Sequence, residues 1–494
     1  MERHQQNINK ATRSIEEMKV QVAQNHWRPQ YHLSSQAYWI NDPNGFVFYK
    51  GEYHLFYQHH PYSAQWGPMH WGHVKSKDLA KWEHLPIALA PSENYDLEGC
   101  FSGSAIEVDE KLYLIYTGIP CEKYDSELKQ IQCLAVSEDA VYFDKLEENP
   151  VISAEPEGNI NHNDIRDPKV WKHGDYYYCV LGSKTNEEIG QVLLYRSTDL
   201  KAWEFLNIAA KGEGNCGYMW ECPDLFNLDG VDVLIISPQG MKPEGDLYQN
   251  VHQAGYILGS FNYDTGKLDH GKFELLDYGF DFYAPQTTID DNGRRILVAW
   301  MAMWESEMPE QEFGWSGAMT LPRELKLVDG KIISQPVSEL QSLRRDVVAY
   351  ENITIEEEQS LDGISGDCFE LEVIINAKNA ANFGVKLRVS EENEEETVVA
   401  YNAKEGILSF DRNKAGTGPG GIRKAPIAIR ENKVHLHIFV DKSSVEVFIN
   451  DGEQVMSGRI YPSEKATAVS FFADGEIEVV TMKKWDLDGC FSVG

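Results

Sequence analysis

The stretch Trp39-Ile40-Asn41-Asp42-Pro43-Asn44-Gly45-Phe46-Val47-Phe48-Tyr49-Lys50-Gly51-Glu52-Tyr53-His54-Leu55-Phe56-Tyr57-Gln58 decides the fold, because its form recurs along the chain. An acidic residue precedes an apolar run, a turn on Gly and a second aromatic run, which is the pattern of a β-hairpin. Asp167 in Arg166-Asp167-Pro168 stands before a hairpin from Val170 to Ser183 that turns at His173-Gly174. Glu221 in Trp220-Glu221-Cys222-Pro223-Asp224 stands before another, from Leu225 to Pro238, turning at Asp229-Gly230. Ala105 to Tyr116 and Thr288 to Val298 keep the hairpin without the acid. The repeat length is about 60 residues.

A second marker follows with the same period: Ser76-Lys77-Asp78-Leu79-Ala80-Lys81-Trp82, then Ser137-Glu138-Asp139-Ala140-Val141-Tyr142-Phe143, then Ser197-Thr198-Asp199-Leu200-Lys201-Ala202-Trp203. It reads as a turn leading to an outer strand with an aromatic anchor. Small sheets of this kind cannot bury both faces alone, so they stack and close into a ring. Five units predict an all-β fold, a five-bladed β-propeller spanning 31–342. In that arrangement the innermost strands line a central channel, and the three acids, read as equivalent points of the repeat, converge there. Taken singly, each is as well explained as a turn-forming segment; their recurrence in register argues for a shared site.

Beyond Leu343 the 60-residue pattern gives way to short alternating strands such as Phe369-Glu370-Leu371-Glu372-Val373 and His435-Leu436-His437-Ile438-Phe439-Val440. These predict an antiparallel β-sandwich over 343–494. It shows no catalytic constellation, so a structural role is expected, with carbohydrate binding as the sharper alternative. At the other end, residues 1–30 read as a short helical extension, with Ile8, Ile15, Met18 and Val22 on one side. Lacking a hydrophobic leader or span, the chain is expected to be cytoplasmic. The formal net charge of −33 opposes nucleic acid and anionic membrane as partners. Eight scattered cysteines without metal-ligand spacing read as reduced packing thiols. His59, His60, His70 and His73 are too irregularly spaced to suggest a metal site.

Hydrolysis of a glycosidic bond needs one carboxylic acid to protonate the leaving oxygen and a second carboxylate across the anomeric carbon. Two of the three acids could serve. Aromatic residues expected around the acids, including Trp39, Trp66, Trp71, Phe101, Trp220, Phe282 and Tyr283, suit the apolar faces of a sugar ring, although each could equally be blade core.

Seven motifs carry a resemblance: Trp39-Ile40-Asn41-Asp42-Pro43-Asn44-Gly45, Phe56-Tyr57-Gln58, Trp71-Gly72-His73, Phe101-Ser102-Gly103-Ser104, Arg166-Asp167-Pro168, Trp220-Glu221-Cys222-Pro223 and Leu321-Pro322-Arg323-Glu324-Leu325. On these the chain resembles glycoside hydrolase family 32, the group of invertases, sucrose-6-phosphate hydrolases and fructanases. The resemblance implies that Asp42 is the nucleophile, Glu221 the acid then base, and Asp167 a transition-state stabiliser. It also implies that Trp39, Ile40, Asn41, Gln58, Trp66, Phe101 and Ser102 hold the fructosyl ring, that Arg166 lies near Asp167 and the sugar, and that no cofactor or metal is needed. Asp42 would have to stay ionised, whereas Glu221 would need a raised pKa, expected from enclosure beside Trp220 and repulsion by the other acids. Cys222 reads as a small buried spacer.

The expected partner is a small sugar: sucrose, sucrose 6-phosphate or a short fructan. Within the family, the N-terminal features resemble the intracellular bacterial sucrose-6-phosphate hydrolases. A phosphate would need a local basic pocket, and Lys123, Lys129 and Lys184 are candidates that spacing cannot separate from solvated lysines. A fructosyltransferase would use the same acids, and a non-catalytic sugar-binding propeller would tolerate their loss.

Overall fold

The computed structural model describes residues 2–491. Helix Glu2–Val22 comes first and uses the expected face: Ile8 and Ala11 pack against Ile87 and Ala90 of the first blade, and Val22 against Trp27 and Trp315. His4 adds a contact the hydrophobic period does not show, its Nε2 accepting from the Ala90 amide at 3.1 Å.

Five antiparallel sheets follow, each built outward from the strand that the repeat places innermost. Their first strands are Tyr38–Tyr49, Gly99–Val108, Ile165–His173, Met219–Leu228 and Tyr283–Ile289. Each of these touches the next, and the last returns to the first, so the sheets close on themselves. Trp315–Ser316, from the fifth unit, pairs in parallel with Tyr38 and Trp39 and fastens the closure.

The second marker has the expected geometry. The aspartates Asp78, Asp139 and Asp199 each accept from two backbone amides two or three residues ahead. Their side chains hold Leu79, Ala140 and Leu200 in left-handed conformations, with φ of 58°, 57° and 67°. Those three residues are buried, and the outermost strand starts directly after the aromatic in the second unit and at it in the first and third.

Equivalent residues of the first strands join neighbouring sheets. The Asn44 amide, oriented so that its oxygen accepts from Gln58, donates to Ser102 Oγ. Ser104 Oγ accepts from Val170 N at 3.0 Å, Lys169 Nζ lies 3.0 Å from Asp224, Asp224 accepts from Thr287 N at 2.8 Å, and Gln286 accepts from Phe46 N at 2.8 Å. This belt fixes the rotation of every blade about the channel, and Asp42 and Asp167 stand two residues before it and Glu221 three.

The remaining strands form two sheets, one of six strands and one of five, packed over a core that includes Phe369, Leu371, Phe383, Leu408, Phe410 and Val447. The C-terminal strand Ile477–Leu487 lies inside the six-stranded sheet, between Arg344–Ile355 and Phe369–Asn376. Phe439, Phe448 and Val455 of the sandwich pack into a core shared with the first blade.

Candidate active site

All five first strands break register at the same place, at Ile40/Pro43, Phe101/Gly103, Arg166/Lys169, Glu221/Asp224 and Tyr283/Gln286. A bulge re-aims the side chains beside it, and at four of the five at least one of them lines a shared cavity: Asn41 and Asp42, Phe101 and Ser102, Arg166 and Asp167, and Glu221. Asp167, Cys222 and Ala284 share left-handed backbone there, with φ of 62°, 48° and 50°. Such a conformation costs about 1–3 kcal/mol at a non-glycine residue.

The shared geometry corrects one expectation. Asp42 and Asp167 immediately precede Pro43 and Pro168, but Cys222, not Glu221, immediately precedes Pro223. Glu221 therefore occupies the position of Asn41, Phe101, Arg166 and Tyr283. One residue of offset matters because it changes the neighbours: Arg166 and Glu221, equivalent in adjacent blades, meet in an ion pair, with Nη2 2.7 Å and Nε 3.0 Å from Oε1.

Asp42, Asp167 and Glu221 face one cavity of about 310 Å³, together with Asn41, Gln58, Trp66, Phe101, Ser102 and Arg166. Asp42 accepts from Ser102 Oγ at 2.6 Å and from Asn41 Nδ2 at 3.0 Å. Cys222 Sγ bridges the aspartates, 3.6 Å from Asp42 and 3.6 Å from Asp167, and its amide donates to Asp167 at 3.0 Å. All eight cysteines are free, and this one is a half-buried spacer between the two aspartates. Glu221 Oε2 accepts from Tyr283 OH at 2.5 Å and Gln239 Nε2 at 2.8 Å.

Burial pushes the Asp42 carboxyl above the usual range; hydrogen bonds from Ser102 and Asn41 oppose it and the Glu221 charge adds to it. Asp167 is pushed up to about 7, first by burial, against Arg166, with Glu221 and Asp42 repelling its charge. The enclosure expected from Trp220 is absent. That indole is fully buried in the fourth blade with Nε1 donating to the Cys216 carbonyl, and Glu221 is enclosed by Tyr283, Arg166 and Gln239 instead.

Other expected wall residues also point away, Ile40 because it is next to the cavity-facing Asn41 and successive strand residues face opposite sides. Ile40 is fully buried among Leu55, Val298 and Met319, so its side chain does not reach the cavity. Trp71 and Phe282 are core as well. Trp39 lies behind the wall, donating from Nε1 to Asn41 Oδ1 at 2.7 Å and stacking on Trp304 at 5.9 Å between ring centroids. Trp66, 52% exposed, meets Phe101 edge-on at the mouth.

Met69, Gln130, Asp164, Gln239 and Trp304 also line the cavity and were not read from sequence. Gln239 ends the second strand of the Glu221 hairpin, directly opposite Met219, so the hairpin register held a signal for it. Trp304 sits in the irregular stretch after Trp300, where no period applies.

Residues 32–336 match the glycosyl hydrolases family 32 N-terminal domain, and residues 339–486 the family's C-terminal domain. A sucrose-6-phosphate hydrolase of Zymomonas mobilis is 39% identical over 97% of this chain and 96% of its own. A raffinose invertase of Escherichia coli is 40% identical over 91% of this chain and 92% of its own. The solved structure of a Bombyx mori family 32 β-fructofuranosidase superposes with a TM-score of 0.86 at 38% identity, covering 98% of this chain and 99% of that one. No helix among the described residues is long and apolar enough to cross a membrane. The chain belongs to glycosyl hydrolase family 32 and is a glycoside hydrolase.

Proposed function

We propose that the chain is a retaining β-fructofuranosidase that cleaves sucrose-type fructosides in the cytoplasm. The observation that carries this reading is the meeting of Asp42, Asp167 and Glu221 around one sugar-sized cavity, each with different hydrogen-bond partners. Ser102 and Asn41 hold the Asp42 carboxylate in place to attack the fructosyl anomeric carbon while Glu221 gives its proton to the glycosidic oxygen. The bond to the leaving sugar breaks as the bond to Asp42 forms. Tyr283 makes this exchange possible: its hydroxyl donates to Glu221 or, turning to the Ser237 carbonyl 3.3 Å away, accepts from a protonated Glu221. In the second step Glu221 takes a proton from water, which attacks the same carbon and releases Asp42. Asp167, held by the Cys222 amide, accepts from ring hydroxyls as positive charge develops on the sugar.

Product analysis with sucrose and sucrose 6-phosphate in parallel tests the reading. Hydrolysis with β-fructofuranose as the first NMR-visible anomer is expected, because two inversions give retention. α-Fructofuranose appearing first would remove Asp42 from its role, and no turnover of either sugar would end the reading.

A further inference from the structure

Four carboxylates line the cavity, Asp42, Asp164, Asp167 and Glu221, against one guanidinium, Arg166. That guanidinium is already engaged on every side. Its Nε and Nη2 reach Glu221, and its Nη1 lies 2.8 Å from Asp164 Oδ1 and 3.3 Å from Gln130 Oε1. The second cation near the rim is Lys184. Its Nζ lies 3.2 Å from the other oxygen of Asp164 and 3.7 Å from Glu188, and packs over the Tyr218 ring at 5.8 Å. Asp164 thus ties both cations together, one with each oxygen. Lys123 and Lys129, in the loop before Gln130, are exposed beside the equally exposed Glu122, Asp125 and Glu127.

We propose that Asp164 is a specificity-determining residue: by holding Arg166 and Lys184 it withholds both from an anionic substituent, so the chain prefers an uncharged fructoside to its phosphorylated form. This rests on the fructosidase reading and narrows its substrate. A phosphate on the leaving sugar could recruit Lys184 or Arg166 only by breaking a pair with Asp164 and leaving that partly buried carboxylate without its cation. It would also approach four carboxylates in a chain of net charge −33, where like charges within a Debye length repel. Neutral hydroxyls pay neither cost.

The test is kcat/KM for sucrose and sucrose 6-phosphate on the wild-type chain and two variants. Wild type should favour sucrose by about tenfold or more at low ionic strength, and the gap should narrow as salt screens the repulsion. Asp164→Asn keeps the side-chain size but releases Lys184 and one edge of Arg166, and should move the ratio towards the phosphorylated sugar by about tenfold. Glu188→Gln, at an exposed partner of Lys184, should move it the same way by about two- to threefold. A merely structural Asp164 would lower both substrates equally and leave the ratio fixed. Should Asp164→Asn fail to fold, the wild-type ratio and Glu188→Gln still decide. Equal or better catalysis on sucrose 6-phosphate by wild type, or ratios unchanged in the variants that fold, would overturn the proposal. Failure to cleave either sugar would overturn the fructosidase reading and this inference with it.

Discussion

The cavity and the seam between propeller and sandwich both bury carboxylates beside cations, yet Asp441 and Glu446 at the seam shift the opposite way from Asp42 and Asp167 in the cavity. At the seam, Arg323 is fully buried, 3.0 Å from Asp277 and hydrogen-bonded to Glu446. His32 is held between Asp441 and Glu446 at 2.9 and 3.0 Å, Arg412 pairs with Asp281 at 2.6 Å, and Arg459 lies 3.3 Å from Glu310. Burial alone would raise Asp441 and Glu446, but His32 pulls the first down and Arg323 with His32 the second, so both end below their usual range, while Asp277 stays raised by its burial despite Arg323. In the cavity burial wins: Asp42 and Asp167 stay raised, because the one guanidinium is shared among Glu221, Asp164 and Asp167. Paired charge fixes how two domains sit together. Under-paired charge persists at Asp42 and Asp167, where the proposed chemistry asks for an attacking carboxylate and an acceptor for sugar hydroxyls, and it is a local cost to stability.

Neutralising Asp42 should separate these two uses most sharply. Asp42→Asn can still accept from Asn41 with its oxygen and instead donate its amide to Ser102 Oγ, but it cannot attack carbon, so turnover should fall by about 10⁴-fold or more. Its melting temperature should hold or rise, because a buried repelled charge has gone. Near-normal turnover, or a large loss of stability with the same substitution, would break the comparison at its strongest point.

Glu221→Gln should cost about 10²–10⁴-fold on sucrose, since the amide fills the same space without a transferable proton. An activated fructoside, whose leaving group needs no protonation, should lose much less in its first step. Equal loss on both substrates, measured by pre-steady-state release of the leaving group, would remove Glu221 from the acid role.

At the seam the order of effects reverses. Arg323→Met leaves Asp277 and Glu446 buried without their arginine, which should cost about 3–5 kcal/mol of stability in urea denaturation. Activity per folded molecule should stay within about twofold of wild type, because Arg323, Asp277 and Glu446 do not line the cavity. A turnover loss like that of Glu221→Gln, with stability intact, would mean that the two regions are not separate.

The sequence carried the blades because each is a local event: an apolar hairpin around a Gly or Asp turn, followed in three of the five by an Asp that caps the turn into the outer strand. It carried Asp42 and Asp167 for the same reason. What adjacency could not carry was direction. Trp220 beside Glu221 and Ile40 beside Asn41 look like cavity walls in one dimension, but the pleat sends each to the opposite face. The one-residue offset of Glu221 was written in the sequence, in the position of Pro223 relative to Pro43 and Pro168, and aligning on the prolines would have exposed it. Asp164, Gln239 and Trp304 reach the cavity from a loop, a strand end and an irregular stretch that share no repeat. The seam was illegible altogether, since His32 and Asp441, 409 residues apart, meet only when two domains dock.

The smallest effects concern pH, where the two regions should leave opposite marks. Asp167 has a folded pKa of about 7, above the ordinary carboxylate value of 3.8. Its ionised form is therefore disfavoured by folding, a penalty absent below 3.8 that grows as pH rises and is complete above 7. His32 is pushed down by burial but up further by its bonds to Asp441 and Glu446, to about 9 from 6.5. It contributes stability that is fully present below pH 6.5 and lost as pH rises through 9. Wild-type stability should consequently decline from mildly acidic to alkaline pH in two overlapping steps. Asp167→Asn should remove the earlier one, stabilising the chain by about 1–3 kcal/mol at pH 8 and by almost nothing near pH 4. His32→Gln should remove the later one, destabilising the chain at pH 6 by a similar amount while the difference shrinks towards pH 10. Denaturant midpoints across that range measure both. Variants that shift stability by the same amount at every pH would mean that shape, not charge, sets these two residues apart.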